Sequence, residues 1–220
     1  MASVAASLEA KFADFLSTRP RIILGSESAS RRQILHELLA PHGSCFTVRA
    51  AKINEKSIRD PEPAILVASL AKAKAEAIIA KMQAAHEDVT MGYLLTCDQV
   101  VVHEGRVLEK PESEAEAREF IAGYARSPPS TVGGVLCTDL ASRQEFSAVD
   151  TTTITFRPLP EETVDQVLAE GECLSCAGAL QVEHALVAPY VERLEGSLDS
   201  VMGLSKQQVM QLLLQAAGQL

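Results

Sequence analysis

This sequence has few aromatic residues and no net positive charge, and both features argue against a nucleic-acid-binding protein. The 220 residues include no tryptophan, and aromatic side chains make up only 4% of them. Proteins that hold single-stranded nucleic acid stack its bases on such side chains. The net charge is −9 at neutral pH, which repels polyanions and argues against non-specific nucleic-acid binding. Any site for a phosphate group must therefore be local.

Long apolar runs and a disulfide pattern are also missing. No run approaches the roughly 18 apolar residues that cross a bilayer, and residues 1–19 contain no signal-peptide core. The five cysteines are odd in number and scattered, and the lone Cys173-x-x-Cys176 pair has no second pair at zinc-ligand spacing. We predict a cytoplasmic protein with no membrane contact, formed by one domain over residues 1–220. Residues 1–19 are expected to be an N-terminal extension, as a solvated helix or a frayed tail.

The most informative segment is a short apolar strand, Ile22 to Leu24, that ends at Gly25. Hydroxyl and guanidinium groups follow, at Ser26, Ser28, Arg31 and Arg32. Ser28 is a good N-cap for the helix that the apolar stripe of residues 34–39 predicts, which ends before Pro41. Free N–H groups of a helix N-terminus and guanidinium groups both bind phosphate oxygens. The segment predicts a phosphate site; the alternative is a capped surface helix with two solvated arginines.

Two charged side chains interrupt apolar patterns further along the chain. Lys74 falls on the apolar stripe of a helix predicted over residues 64–85. It either snorkels to the rim, which the helix pattern alone favours, or meets an anion. Asp98 interrupts an apolar strand over residues 93–102, which makes it the strongest catalytic candidate. The alternative is an aspartate at a strand end that caps the following turn.

These residues form a set that can handle a polyphosphate. A hairpin at residues 103–106 is expected to bring Lys110 back towards Asp98, and Glu55 lies in a polar stretch before the long helix. The two carboxylates can hold Mg²⁺ or Mn²⁺ through oxygen, and either can act as the base that activates water. Helices and strands alternate in the first half and paired strands prevail in the second. We therefore predict an α/β fold with a mixed central sheet in two lobes.

In their order, these motifs resemble the Maf family of nucleoside triphosphate pyrophosphatases over residues 21–214. The matching segments are Ser26-x-Ser28 with Arg31 and Arg32, Asn54-Glu55, Leu70 to Ala75, Asp98-Gln99, Glu109-Lys110-Pro111, Ala177-Gly178 and Val201 to Ser205. The resemblance implies hydrolysis between the α- and β-phosphates of a nucleoside triphosphate, with a divalent metal ion, Mg²⁺ or Mn²⁺. It also implies an elongated sheet like that of inosine triphosphate pyrophosphatase, a nucleotide cleft between the lobes, and a homodimer.

The resemblance also implies roles for single residues. The first loop and two lysines would hold the phosphates, through Ser26, Ser28, Arg31, Arg32, Lys74 and Lys110. Asp98 would be the general base. Glu55 and Asp98 would be the metal ligands. Four positions depart from the family pattern: Asn54 stands for Asp, Glu109 and His184 for Gly, and Ser205 for Pro. Gln99 and Glu183, as substrate contacts, look like the branch that prefers 7-methyl-GTP, since carboxylate acceptors suit a donor-rich base edge.

Two other classes of function compete with a pyrophosphatase. A nucleotide-binding regulator of cell division, or of septum formation, would keep the phosphate loop without turnover. A lone acid facing a polyphosphate would repel the ligand of such a binder, which is why Asp98 favours an enzyme. A phosphatase or a nucleotidyltransferase can use the same parts, but a phosphatase releases inorganic phosphate and a nucleotidyltransferase needs a second substrate.

Overall fold

The computed structural model describes residues 2–220, and within them the chain forms seven α-helices and seven β-strands. The helices are α1 (Ala2–Ser17), α2 (Ala29–Leu39), α3 (Pro63–Ala84), α4 (Glu114–Tyr124), α5 (Glu161–Glu170), α6 (Leu198–Val201) and α7 (Lys206–Ala216). The strands are β1 (Ile22–Leu24), β2 (Phe46–Val48), β3 (Tyr93–His103), β4 (Arg106–Leu108), β5 (Ser130–Asp139), β6 (Glu145–Phe156) and β7 (Val191–Glu195). None of the helices in this part of the chain is long and apolar enough to cross a membrane.

All seven strands belong to one mixed sheet, which confirms the predicted α/β fold. The order is β2-β1-β3-β5-β6-β7, and β4 pairs with β3 outside this path. Strand β1 is parallel to both β2 and β3, whereas β4 is antiparallel to β3 and β7 is antiparallel to β6. The hairpin predicted at residues 103–106 is confirmed by the pairing of His103 with Arg106.

The chain divides into two compact units. The first contains the chain up to Asp98 together with Gly134–Val149 and Gly203–Leu220, and the second contains Gln99–Gly133 and Asp150–Met202. The predictions of a single domain and of a nucleotide cleft between two lobes stay predictions.

The N-terminal helix belongs to the core of the first unit. Phe12, Phe15 and Leu16 of α1 are buried, and α1 packs against α7. The Phe15 and Tyr93 rings meet edge to face, with their centroids 5.5 Å apart. The prediction of a solvated helix or a frayed tail is therefore wrong for residues 7–19, the part of this segment whose side chains the structure describes. Its apolar residues at helical spacing form a buried stripe, and Met1 lies outside the described residues.

Strand β6 is longer than the sequence predicts. The alternation of Thr152, Ile154 and Phe156 predicts a strand over residues 151–156, and these three residues are buried, but the strand begins at Glu145. Residues 145–151 are exposed or half-buried without exception, so they lack the apolar alternation by which a half-buried strand is recognised.

Candidate active site

The predicted phosphate loop is built as the sequence indicates. Strand β1 ends at Gly25, whose N–H donates to the Leu95 carbonyl at 2.7 Å. A Cβ at Gly25 would lie 2.6 Å from the Thr96 side chain, so only glycine lets the loop pass this close to β3. The Ser28 hydroxyl accepts from the Arg31 N–H and caps α2, and the buried Ser26 hydroxyl accepts from the Ser28 N–H. Both serines therefore stand at the N-terminus of an eleven-residue helix, where anions are stabilised.

The two adjacent arginines of this loop differ in their surroundings. Arg31 is half-buried and donates from Nε to the Gly203 carbonyl at 3.0 Å and from Nη1 to the Cys97 carbonyl at 3.3 Å. Gly203 has a φ of +108°, and a Cβ there would lie 2.9 Å from Arg31 Nε. Arg32 is exposed. The structure thus ties Arg31 to backbone carbonyls beside Asp98 and leaves Arg32 as the more accessible guanidinium; phosphate binding by either stays a prediction.

Lys74 forms the centre of the candidate site. Its Nζ lies 2.6 Å from Asp98 Oδ1 and 3.0 Å from Glu55 Oε1. Lys74 and Asp98 are only 7% and 8% exposed, whereas Glu55 is exposed. Of the two alternatives for Lys74, snorkelling is therefore wrong, and the ammonium meets two anions instead. The contact follows from packing, because the Thr96 hydroxyl on the same face of β3 donates to the Ala71 carbonyl of α3.

The two carboxylates bonded to Lys74 can also hold a divalent cation. Each is bonded to Lys74 through one oxygen, which leaves its second oxygen for such an ion. Magnesium is commonly held by one or two carboxylates together with substrate phosphates. Within residues 2–220, no group of three or more His, Cys, Asp or Glu side chains can hold a metal ion. Glu55 and Asp98 thus fit an ion that takes its remaining ligands from phosphate and water.

In the second unit, the charges of Lys110 and Glu183 both act on the pKa of one thiol. The Gly178 N–H donates to the Glu109 carbonyl at 3.2 Å, which joins the turn at Ala177-Gly178 to the segment that carries Lys110. Burial raises the pKa of Cys176 to about 11; the Glu183 carboxylate adds to this rise and the Lys110 ammonium opposes it. Both charged side chains are exposed. The expected approach of Lys110 to Asp98 stays a prediction.

His184, which directly follows Glu183, fixes the position of this loop. The Leu186 N–H donates to His184 Nδ1 at 3.2 Å, and His184 Nε2 lies 2.7 Å from Glu170 Oε2. Because Nδ1 accepts a hydrogen bond, Nε2 is the nitrogen that carries the proton and donates to Glu170. The ring therefore links α5 to the loop that presents Glu183.

Sequence reasoning missed Ser200, which contacts Gln99, and Asp150, which contacts Ser200. The Gln99 amide donates from Nε2 to the Ser200 carbonyl at 2.7 Å, and the buried Ser200 hydroxyl donates to Asp150 Oδ2. Asp150 lies directly before residues 151–156, whose alternation predicts a strand, so no sequence signal marked it. The sequence did not indicate which residue would face it.

Comparison with known proteins assigns the family. The model of the Maf-like protein family matches residues 21–216, so the chain belongs to that family. The chain is 32% identical to the 7-methyl-GTP pyrophosphatase of Dictyostelium discoideum, over 87% of this chain and 94% of that protein. It is 35% identical to the dTTP/UTP pyrophosphatase of Moorella thermoacetica, over 88% of this chain and 93% of that one. A nucleoside triphosphate pyrophosphatase of a Synechococcus strain is 34% identical over 84% of this chain and 94% of its own length.

Proposed function

We propose that this protein is a nucleoside triphosphate pyrophosphatase that cleaves the α–β phosphoanhydride and releases a nucleoside monophosphate and pyrophosphate. The observation that carries the proposal is the buried Lys74 ammonium bonded to Asp98 and to Glu55. The family membership and the names of the three relatives support the reaction class. Such a reaction serves the cell as housekeeping of its nucleotide pool.

Asp98 is the base in this proposal. Its Oδ1 is bonded to Lys74, which leaves Oδ2 to accept the proton of the attacking water. The Lys74 ammonium keeps the carboxylate oriented and is itself placed to balance negative charge that develops on the phosphates. Ser26, Ser28, the N-terminus of α2, Arg32 and Lys110 bind the remaining phosphate oxygens in this scheme.

Glu55 is the carboxylate that would hold the divalent ion, Mg²⁺ or Mn²⁺. The chemistry that such an ion supplies is neutralisation of the polyphosphate charge and orientation of its oxygens. Asp98 is the second carboxylate within reach of the same place, and a metal titration separates its two roles. If Glu55 is the main ligand, Glu55→Gln raises the metal concentration that gives half-maximal rate, and Asp98→Asn lowers kcat without that shift.

A product-resolved assay tests the reaction class. Wild type and Asp98→Asn are incubated with 7-methyl-GTP, GTP, dTTP, UTP and CTP in the presence of Mg²⁺ or Mn²⁺, and the products are separated. We expect pyrophosphate and a monophosphate from wild type, and a loss of about 10²-fold or more in Asp98→Asn. Release of inorganic phosphate would instead indicate a phosphatase. Nucleotide binding without turnover would favour the regulatory binder.

The same assay ranks the nucleobases by the rate at which their triphosphates are hydrolysed. Gln99 and Glu183 resemble the 7-methyl-GTP branch, and one of the relatives carries that activity in its name. We propose 7-methyl-GTP as the preferred substrate, and much faster hydrolysis of dTTP or UTP would contradict this.

The homodimer implied by the resemblance is tested separately by sedimentation of the purified protein.

A further inference from the structure

Arg31 lies beside the general base Asp98, but the reaction scheme does not use it. Strand β1 has ended just before Gly25, whose N–H donates to the Leu95 carbonyl of β3. Alternate carbonyls of a strand point to the same edge, so the Cys97 carbonyl faces the side that β1 no longer covers. Arg31 Nη1 donates to this carbonyl at 3.3 Å. The guanidinium therefore supplies the hydrogen bond that a longer β1 would have made.

The hydrogen bond at Cys97 fixes the peptide unit that leads into Asp98. Cys97 is only 1% exposed, so its carbonyl lies away from water and needs a partner within the protein. This carbonyl and the Asp98 N–H belong to one planar peptide unit. A donor on the oxygen therefore limits rotation of the plane from which the Asp98 side chain projects. Because Lys74 holds Asp98 Oδ1 at 2.6 Å, the carboxylate is oriented from its backbone and from its side chain.

The second hydrogen bond of Arg31 goes to a glycine that has no room for a side chain. Arg31 Nε donates to the Gly203 carbonyl at 3.0 Å, and a Cβ at Gly203 would lie 2.9 Å from that nitrogen. Gly203 precedes Leu204 and Ser205, and the Ser205 hydroxyl caps α7. The guanidinium thus joins the start of α2, the middle of β3 and the segment before α7, all within the first unit. The glycine of this segment is explained by the guanidinium that lies against it.

A guanidinium suits this position better than an ammonium does. Arginine presents its N–H donors in a rigid plane, so Nε and Nη1 of Arg31 reach carbonyls on two separate segments. Lysine would carry the same charge on one compact nitrogen at the end of a flexible stem. Replacement of Arg31 by lysine therefore keeps the charge and removes the geometry, which makes the two contributions separable.

We propose that Arg31 is a positioning residue for Asp98, and that Gly203 is the residue that admits its guanidinium. This inference rests on the proposed hydrolysis and assigns Arg31 to the general base rather than to the phosphates. Arg31 is half-buried with two of its N–H groups on backbone carbonyls, whereas the neighbouring Arg32 is exposed. Arg31 thus acts on the rate of the chemical step, and Arg32 acts on the affinity for the polyphosphate.

The test separates kcat from KM with the nucleoside triphosphate that wild type hydrolyses fastest, and pyrophosphate serves as a product inhibitor. We expect Arg31→Lys to lower kcat about 10- to 100-fold, with KM and the inhibition constant of pyrophosphate changed less than about threefold. Arg32→Ala should do the opposite and raise both constants about 10-fold at nearly unchanged kcat. Arg21→Lys is the matched control and should behave as wild type, because Arg21 is also half-buried and donates from Nη1 to the Asp88 carbonyl at 2.7 Å.

Gly203→Ala tests the same contact from the other side. Its methyl group would displace Arg31 Nε without removing the charge, so kcat should fall as in Arg31→Lys while KM stays nearly unchanged. Because both changes act through one contact, the double variant should be about as impaired as the weaker of the two single variants. Gly218→Ala is the control for backbone strain and should keep the kinetics of wild type, because Gly218 also has a positive φ, +68°, and borders open space. Assays are run well below the Tm of every variant, so that loss of stability alone leaves kcat unchanged.

Other results would overturn the inference. Weaker inhibition by pyrophosphate in Arg31→Lys, with kcat unchanged, would make Arg31 a phosphate ligand. Losses that multiply in the double variant would mean that Gly203 does not act through Arg31. If wild type hydrolyses no nucleotide, the proposed function fails, and hydrogen exchange still decides the inference. The Asp98 N–H should then exchange faster in Arg31→Lys but not in Arg21→Lys, and unchanged exchange in Arg31→Lys would show that the guanidinium does not hold this peptide.

Discussion

A lysine in the middle of an apolar helix face determines the character of the candidate site. Removal of an ammonium from water is unfavourable, and two hydrogen-bonded carboxylates offset that cost for Lys74. The arrangement links three segments of the first unit: the stretch before α3, α3 itself and β3. Arg31 strengthens the same place from another direction, since it binds the carbonyl of Cys97, the residue before Asp98. The charge of Lys74 therefore also fixes the positions of the two carboxylates that it binds.

Replacement of Lys74 by methionine should remove activity and also lower stability. Lys74→Met keeps the length and apolar stem of the side chain but leaves Asp98 and Glu55 without their shared partner. We expect kcat to fall about 10²-fold or more and the free energy of unfolding to fall by about 3–5 kcal/mol, because the buried Asp98 carboxylate loses its partner, as measured by steady-state kinetics and urea denaturation. Lys72→Met is the matched control, because Lys72 is exposed and its ion pair with Glu145 should contribute little to stability. Equal kinetics in the two variants would remove Lys74 from the site.

At the scale of elements, local signals account for most of what the sequence predicts. Ser28 and Pro41 mark the limits of α2, and the apolar runs of β1 and β3 mark those strands without reference to the rest of the chain. Contacts between distant segments were not predictable in the same way. Asp150 and Ser200 are 50 residues apart, and Gln99 and Ser200 are 101 residues apart. No local pattern encodes such a pairing, so the cluster around Gln99 emerged only from the fold.

Strand alternation separates the roles of the neighbours Asp98 and Gln99. Successive side chains of a strand point to opposite faces, so Asp98 meets Lys74 of α3 while Gln99 meets Ser200 of α6. The motif Asp98-Gln99 is contiguous in sequence, yet its two side chains cannot make the same contacts. This alternation gives the two neighbours different surroundings, with Asp98 facing an ammonium and Gln99 facing a backbone carbonyl.

Helix α1 should be required for stability and dispensable for chemistry. Phe15 is 2% exposed and contacts both Phe12 and Tyr93. We expect Phe15→Ala to lower the free energy of unfolding by about 3–5 kcal/mol, because it leaves a cavity in the core of the first unit. Assays well below the lowered Tm should give a kcat close to that of wild type. Asp14→Ala, an exposed change on the same helix, should stay within about 0.5 kcal/mol. A stable Phe15→Ala variant would mean that α1 does not belong to the folded core.

At the scale of the whole molecule, the acidic character and the phosphate site are compatible because the cations are local. The net charge of −9 disfavours large polyanions, whereas the α2 N-terminus and Arg32 present positive potential at one loop. The fold shifts the pKa values of single carboxyl groups in both directions. Exposed carboxyls such as Glu37 and Asp88 have pKa values lowered by hydrogen bonds, chiefly from Lys206 and Thr90 respectively. Asp150 behaves in the opposite way.

The folded protein should become more stable near neutral pH when Asp150 is replaced by asparagine. Burial raises the pKa of Asp150 above its ordinary value of 3.8, so the folded state holds this proton more tightly than the unfolded state does. The stability that this group contributes is fully present below that value and is lost as the pH rises through the folded-state pKa. Urea denaturation of wild type and Asp150→Asn from pH 4 to pH 8 measures the difference. We expect the stability of the variant relative to wild type to rise with pH across this window, whereas Glu192→Gln, a matched change of an exposed acid on β7, should follow wild type. A constant difference between Asp150→Asn and wild type at every pH would show that Asp150 titrates equally in both states, and burial would then not control its ionisation.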